Sequence, residues 1–191
     1  MEFYVIAILS YFLGSIPFGY ILTKLILKKD IRKIGSGNIG ATNALRTGNK
    51  LIGYLTLFFD ITKAIVPVIY VKFYFPQEIY LSALCVFLGH LFPVWLKFKG
   101  GKGVASYVGI LFAIKLIYGL IFGVVWLVIY FLTKFSSISS LLASLSIPIY
   151  IFLFKEQNLY FFIIMLILII FTHRENIKRL INKEETKTKI Y

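Results

Sequence analysis

Acid is what this 191-residue chain is short of: 8 Asp and Glu stand against 21 Lys and Arg, giving a net charge of +13. Cysteine, at one, and histidine, at two, are scarcer still. The single Cys85 cannot close an internal disulfide; it lies in an apolar run and reads as a packing residue. No group of His, Cys and carboxylates has metal-ligand spacing, so no metal site is expected. A G-x-S-x-G elbow is absent, which argues against a Ser-His-Asp hydrolase. Met1 to Phe3 carry no basic n-region, and the apolar run behind them is too long for an h-region. An uncleaved first helix is the reading, not a signal peptide. Gly35, Gly37 and Gly40 fit G-x-G-x-x-G, but no strand precedes them and no βαβ unit can be built, so dinucleotide binding is excluded. Gly101-Lys102-Gly103 has the look of a P-loop fragment, yet no Ser or Thr follows the lysine. No cofactor is expected.

Apolar residues are what the chain has in excess. Hydrophobic types make up 59% of it, mean hydropathy is +0.86, and several runs approach the ~20 residues that cross a bilayer. The pattern predicts an all-α integral membrane protein with seven transmembrane helices in a single domain over 1–191. The first span runs from about Phe3 to Leu27, and Gly14-Ser15-Ile16-Pro17-Phe18-Gly19 within it reads either as a kink or close packing or as the lining of a substrate groove. The second covers Leu51 to Phe75 and the third Ile79 to Phe98. Val104 to Thr133 reads as two short spans with a break near Lys115 to Gly119. A serine turn, Ser136 to Ser140, leads into a sixth span ending at Phe154. The seventh ends at Thr172, and a charged tail starts at His173.

Seven spans put all the Lys and Arg on one side except Lys63, Lys72, Lys115 and Lys155. The positive-inside rule then sets the amino terminus outside and the tail in the cytoplasm. Positive charge on membrane loops accounts for the +13, so no nucleic-acid partner is expected; the bilayer is the partner.

This topology gathers four polar segments on the cytoplasmic face. They are the loop from Ser36 to Arg46, the Gly100 to Gly103 loop, the serine turn, and His173-Arg174-Glu175-Asn176. Glycines let backbone N–H groups approach an anion, Ser, Thr and Asn add donors, and Arg46 and Lys102 add charge. A site for a phosphorylated, cytosolic substrate follows. On a continuing helix His173 and Asn176 share a face. His90, beside Pro93, reads as a hydrogen-bonded structural histidine. Asp60 and Lys63 lie three residues apart near the middle of a span, where a charge is costly. They read either as support for the site or as a structural ion pair.

Ser36-Gly37-Asn38-Ile39-Gly40-Ala41-Thr42-Asn43 with Arg46 resembles the first signature of the bacterial acyl-phosphate-dependent glycerol-3-phosphate acyltransferases, the PlsY family. Gly89 to Pro93 through Phe98 to Ala105 resembles the second, and His173-Arg174-Glu175-Asn176-Ile177 the third. The likeness spans the chain. One departure is Lys134-Phe135 before the serines, in place of an Arg-Tyr-like pair. An H-x4-D motif, the mark of a different acyltransferase class, is absent: Trp95 follows His90 by five and Lys178 follows His173 by five.

The resemblance implies transfer of a fatty acyl group from acyl phosphate to the sn-1 hydroxyl of glycerol 3-phosphate. The products are lysophosphatidic acid and phosphate, made at the bacterial inner membrane for phospholipid synthesis. It also implies contact with the soluble enzyme that makes the acyl phosphate. The loop residues Ser36, Gly37, Asn38, Gly40, Ala41, Thr42 and Asn43, with Gly100, Gly101 and Gly103, are expected to bind substrate phosphate. Arg46, Lys102 and Asn176, with Ser140 or a neighbour, are expected to hold glycerol 3-phosphate, while His173 orients the attacking hydroxyl. The proton can go to His173 or to the leaving phosphate. A small transporter of an organic phosphate is the alternative, favoured by Asp60 and Lys63 but not by any internal repeat.

Overall fold

A computed structural model describes residues 2–188, and these are helical, with no strand among them. Five helical stretches are long and apolar enough to cross a membrane: Glu2–Leu27, Lys50–Tyr74, Pro76–Leu96, Leu116–Thr133 and Ser136–Leu153. Leu159–Thr172 with Arg174–Ile181, bent by 60°, makes a sixth if the pair counts as one span. Val104–Ile114 is apolar but shorter. Each of the seven expected segments is therefore helical, and five or six have spanning length. The chain packs as two compact units, Met1–Ile114 and Lys115–Tyr191.

In the first unit the leading span is broken. Helix α1 (Glu2–Gly14) and α2 (Phe18–Leu27) are separated where Pro17 withholds an N–H. Small residues let α1 press against α5 (Ile79–Leu91). The Ser10 and Ser82 hydroxyls meet at 2.8 Å, and a Cβ on Gly14 or Gly89 would strike the partner's backbone. This is the close approach that small side chains permit between membrane helices. The long α4 (Lys50–Tyr74) packs likewise on α6 (Val104–Ile114), where Gly109 abuts the Ile61 carbonyl and Ser106 donates to the Asp60 carbonyl at 3.3 Å. Lys72 Nζ donates to the Ala113 and Ile114 carbonyls at 3.0 and 2.9 Å, capping the C-terminus of α6. The third span stops early: α5 ends at Leu91 and a 3-10 turn, Val94–Leu96, follows Pro93. Between α2 and α4 lie a 3-10 turn, Ile31–Lys33, and a short helix, α3 (Ala41–Leu45).

The second unit opens at Lys115, the first residue of the expected break. Helix α7 (Leu116–Thr133) and α8 (Ser136–Leu153) form a hairpin, turned at Lys134 with φ 64°. Helix α9 (Leu159–Thr172) packs on α8. Tyr118 holds the interior by edge-on contacts with Tyr150 and Phe162, at ring distances of 6.0 and 5.5 Å. Lys115 pairs with Glu156. Two sequence expectations change here. Ser136 to Ser140 are not a turn but the first turns of α8, because Ser139 and Ser140 donate back to the Phe135 and Ser136 carbonyls and so fit the helix. Nor does the last span continue straight: the chain bends 60° at His173 and restarts as α10 (Arg174–Ile181).

Candidate active site

The loop between α2 and α4 carries its own small core. Ile31, Ile39 and Ala44 pack with Ile52 of α4 and Leu96 of the 3-10 turn. This cluster anchors an otherwise polar, basic segment. Asp30 starts it: its carboxylate accepts from the Arg32 backbone and side chain. The Arg32 hydrogen bond is the chief reason its pKa falls to about 2.

Asn43 is the hub. Its buried amide accepts from Ser36 N at 2.9 Å and donates to the carbonyls of Ile31, Ile34 and Asn38 at 3.2, 2.8 and 2.8 Å. One amide thus fastens four points of the loop. Gly35 and Gly37 take left-handed φ of 54° and 72°, and a Cβ on Gly35 would meet both Asn43 Oδ1 and the Arg46 stem. Asn38 Oδ1 accepts from Gly40 N at 2.8 Å, and Gly40 in turn caps α3, which carries Ala41, Thr42 and Asn43. Ser36 and Arg46 are exposed, and Thr42 is half-buried.

The second glycine segment is pinned to the end of α5. Gly100 N and Gly101 N donate to the Leu91 and His90 carbonyls, each at 3.1 Å. A side chain on Gly101 would collide with the His90 ring, and one on Gly103 with Phe87. These N–H groups are therefore committed to the protein, and the glycines serve close packing that sets Lys102, half-buried, at the mouth of α6.

Beneath lies a buried charged group. Lys63 Nζ is 2.8 Å from Asp60 Oδ1 and donates to the Ile16 carbonyl at 2.7 Å, in the break before Pro17. His90 Nδ1 is 3.8 Å from the same Asp60 oxygen. Asp60 and Lys63 do touch, and they link the broken first span to the histidine on which Gly101 rests. Trp95 Nε1 adds a 2.9 Å bond to Ser15 at the same break.

In the second unit His173 and Asn176 are both buried. His173 Nδ1 lies 2.8 Å from the Ile169 carbonyl, which can only accept, so Nδ1 carries a proton. Asn176 Nδ2 donates to Glu185 Oε1 at 2.6 Å; Ser137 Oγ donates to the same oxygen at 2.9 Å, and Arg179 Nε to Oε2 at 2.7 Å. Burial alone would raise the Glu185 carboxyl. The bonds from Arg179, Asn176 and Ser137 outweigh it and hold the group below its usual range. Ser140 points elsewhere, donating to Ser136 O and accepting from Trp126 Nε1 at 3.1 Å. Ser137, not Ser140, shares a partner with Asn176. Among the described residues no group of three His, Cys, Asp or Glu could hold a metal ion.

The glycerol-3-phosphate acyltransferase family model matches residues 4–183. The chain belongs to that family. A glycerol-3-phosphate acyltransferase of Pelagibacter ubique is 64% identical over the full length of both chains. One from Brucella anthropi is 48% identical over 94% of this chain and 90% of its own. The glycerol 3-phosphate form of crystalline PlsY, an integral membrane acyltransferase, superposes with a TM-score of 0.94 at 36% identity, covering 99% of this chain and 96% of that one. Its lysophosphatidic acid form gives 0.90 at 35% identity, covering 100% and 97%.

Within this family member, sequence reasoning missed Glu185, Arg179 and Ser137 as a group, and missed His90 beside Asp60. Glu185 sits beyond the end of α10 and returns across a turn in which the Glu184 and Glu185 N–H groups donate to the Arg179 carbonyl. No helical period links it to Asn176, so only a three-dimensional view could join them. Asp60 and His90 come from different helices, with the same consequence.

Proposed function

We propose that the chain transfers a fatty acyl group from acyl phosphate to the sn-1 hydroxyl of glycerol 3-phosphate, releasing lysophosphatidic acid and phosphate. Family membership over residues 4–183 carries the acyl-transfer reading. The forms in which the PlsY relatives were crystallised supply substrate and product for it. An acyl phosphate is a mixed anhydride with a good leaving group, so no covalent enzyme nucleophile is required. The tasks are to bring two anions together and to stabilise charge developing on the carbonyl and phosphate oxygens.

Arg46 and Lys102 supply cations for the phosphates, and the exposed Ser36 with half-buried Thr42 supplies donors to the acyl-phosphate headgroup. Asn43, Gly35 and Gly37 shape that loop. Gly100, Gly101 and Gly103 act by holding Lys102 in place. Asn176, with Ser137 beside it, takes glycerol 3-phosphate, and His173 Nε2 orients the hydrogen of the attacking hydroxyl. We place the basic loops and tail in the cytoplasm of a bacterial inner membrane, on the charge bias.

The donor is tested by supplying purified protein with glycerol 3-phosphate and either palmitoyl phosphate or palmitoyl-CoA. Turnover with the phosphate alone is expected. Turnover with the thioester alone would refute the donor assignment while leaving the family reading intact.

A further inference from the structure

Glu185 lies outside every motif that suggested a function, yet its carboxylate joins Ser137, Asn176 and Arg179. The tail that carries it is tied down on both sides. Arg179 O accepts from Glu184 N and Glu185 N, the Thr188 N–H donates to Lys134 O at 2.9 Å, and Tyr130 Oη donates to Thr188 O at 2.7 Å. An ionised carboxylate only accepts hydrogen bonds. The Asn176 amide must therefore turn its NH2 toward Glu185, and its Oδ1 must face the other way. That oxygen is buried, on a side chain 5% exposed, and has no hydrogen-bond partner among the described residues. A buried carbonyl oxygen without a donor is unfavourable unless a ligand supplies one.

We propose that Glu185 is a positioning residue. By taking the Asn176 NH2, it presents Asn176 Oδ1 as the acceptor for a hydroxyl of the glycerol moiety. The inference rests on the acyltransferase reading above and adds a residue and an atom to it. Arg179, which cannot accept, holds the second carboxylate oxygen and keeps the fork from rotating.

The test is a double-mutant cycle on kcat/KM for glycerol 3-phosphate, using the full chain in detergent: wild type, E185A, N176A and E185A/N176A. E185A is expected to lower kcat/KM on the order of tenfold to a hundredfold, chiefly through KM for glycerol 3-phosphate, with KM for palmitoyl phosphate unchanged. In the N176A background, where there is no amide left to orient, removing Glu185 should change kcat/KM by no more than about twofold. Additive losses would overturn the inference, as would a gain of activity in E185A, which would mean that the carboxylate obstructs an anion site. If E185A fails to fold, E185Q decides it. Glutamine keeps the volume but must offer its own NH2 to either Asn176 or Arg179. The expected rise in KM for glycerol 3-phosphate is at least about fivefold; an unchanged KM overturns the proposal. A wild type without acceptor-dependent turnover would overturn the parent reading and this inference together. Intact wild-type turnover with an additive cycle removes this inference alone.

Discussion

At the scale of single residues, Asn43 and Arg46 make opposite predictions although they sit three positions apart. Asn43 spends its whole amide on the loop that contains it. Replacing it by alanine takes one partner from three carbonyls and from the Ser36 N–H, the bond to Ile31 being the buried one, at a cost of about 1 kcal/mol for each bond lost. N43A should lose thermal stability and activity together. Arg46 is exposed, and Lys102 half-buried. Alanine at either should cut turnover by orders of magnitude with little change in the unfolding temperature, since a charge poised for a developing anion contributes to rate rather than to packing. Parallel activity assays and thermal melts in detergent separate the two classes. Wild-type turnover in R46A or K102A would contradict the assignment.

Residue types legible in the sequence were those whose chemistry is unusual for grease: the amides, Arg46, Lys102, His173. Their division of labour was not. Asn43 and Asn38 look alike in the sequence, and only the fold shows that one amide is consumed by backbone carbonyls. Glycines invite the reading of an anion cradle, whereas Gly100 and Gly101 donate to α5 and owe their smallness to a histidine ring and a proline.

At the scale of elements, the buried Asp60–Lys63 pair acts as a pin between helices. It ties α4 to the Ile16 carbonyl in the break of the first span and stands beside His90 of α5, against whose ring Gly101 packs. Removing one partner strands the other charge, at roughly 3–5 kcal/mol, whereas replacing both by apolar residues of similar size is far milder. K63M should therefore be markedly less stable than D60L/K63M in thermal melts. Equal stability would show that the pair is not a unit.

The tail gives a second prediction, with its sign set by the depressed Glu185 carboxyl. A carboxylate whose pKa is lower in the folded state stabilises that state above its unfolded pKa, and the contribution is lost as pH falls through the folded value. The bonds to Ser137, Asn176 and Arg179 should thus persist at neutral pH and through the ordinary glutamate range, loosening only below it. Proteolysis at the tail followed against pH should show an acid limb in the wild type that E185Q lacks. An identical profile in both would remove Glu185 as its source. Apolar runs and breaks were readable at this scale because length and Pro17 or Pro93 announce them. The serine run misled, since hydroxyls that fold back on i−4 carbonyls look like turn formers in one dimension.

At the scale of the whole molecule, the charge distribution predicts a topology. Tags at the two ends should report opposite sides, with the amino terminus outside and the tail inside, by protease or thiol-reagent access in intact cells and inverted vesicles. Ends on the same side would contradict the seven-span reading. The central claim is chemical and does not depend on two compartments, which a transporter would need. The most direct test is phosphate release from purified, detergent-solubilised protein given palmitoyl phosphate, with and without glycerol 3-phosphate. Release that requires the acceptor, matched by lysophosphatidic acid, is the predicted result. No release from demonstrably folded protein, with and without added lipid, would contradict the account.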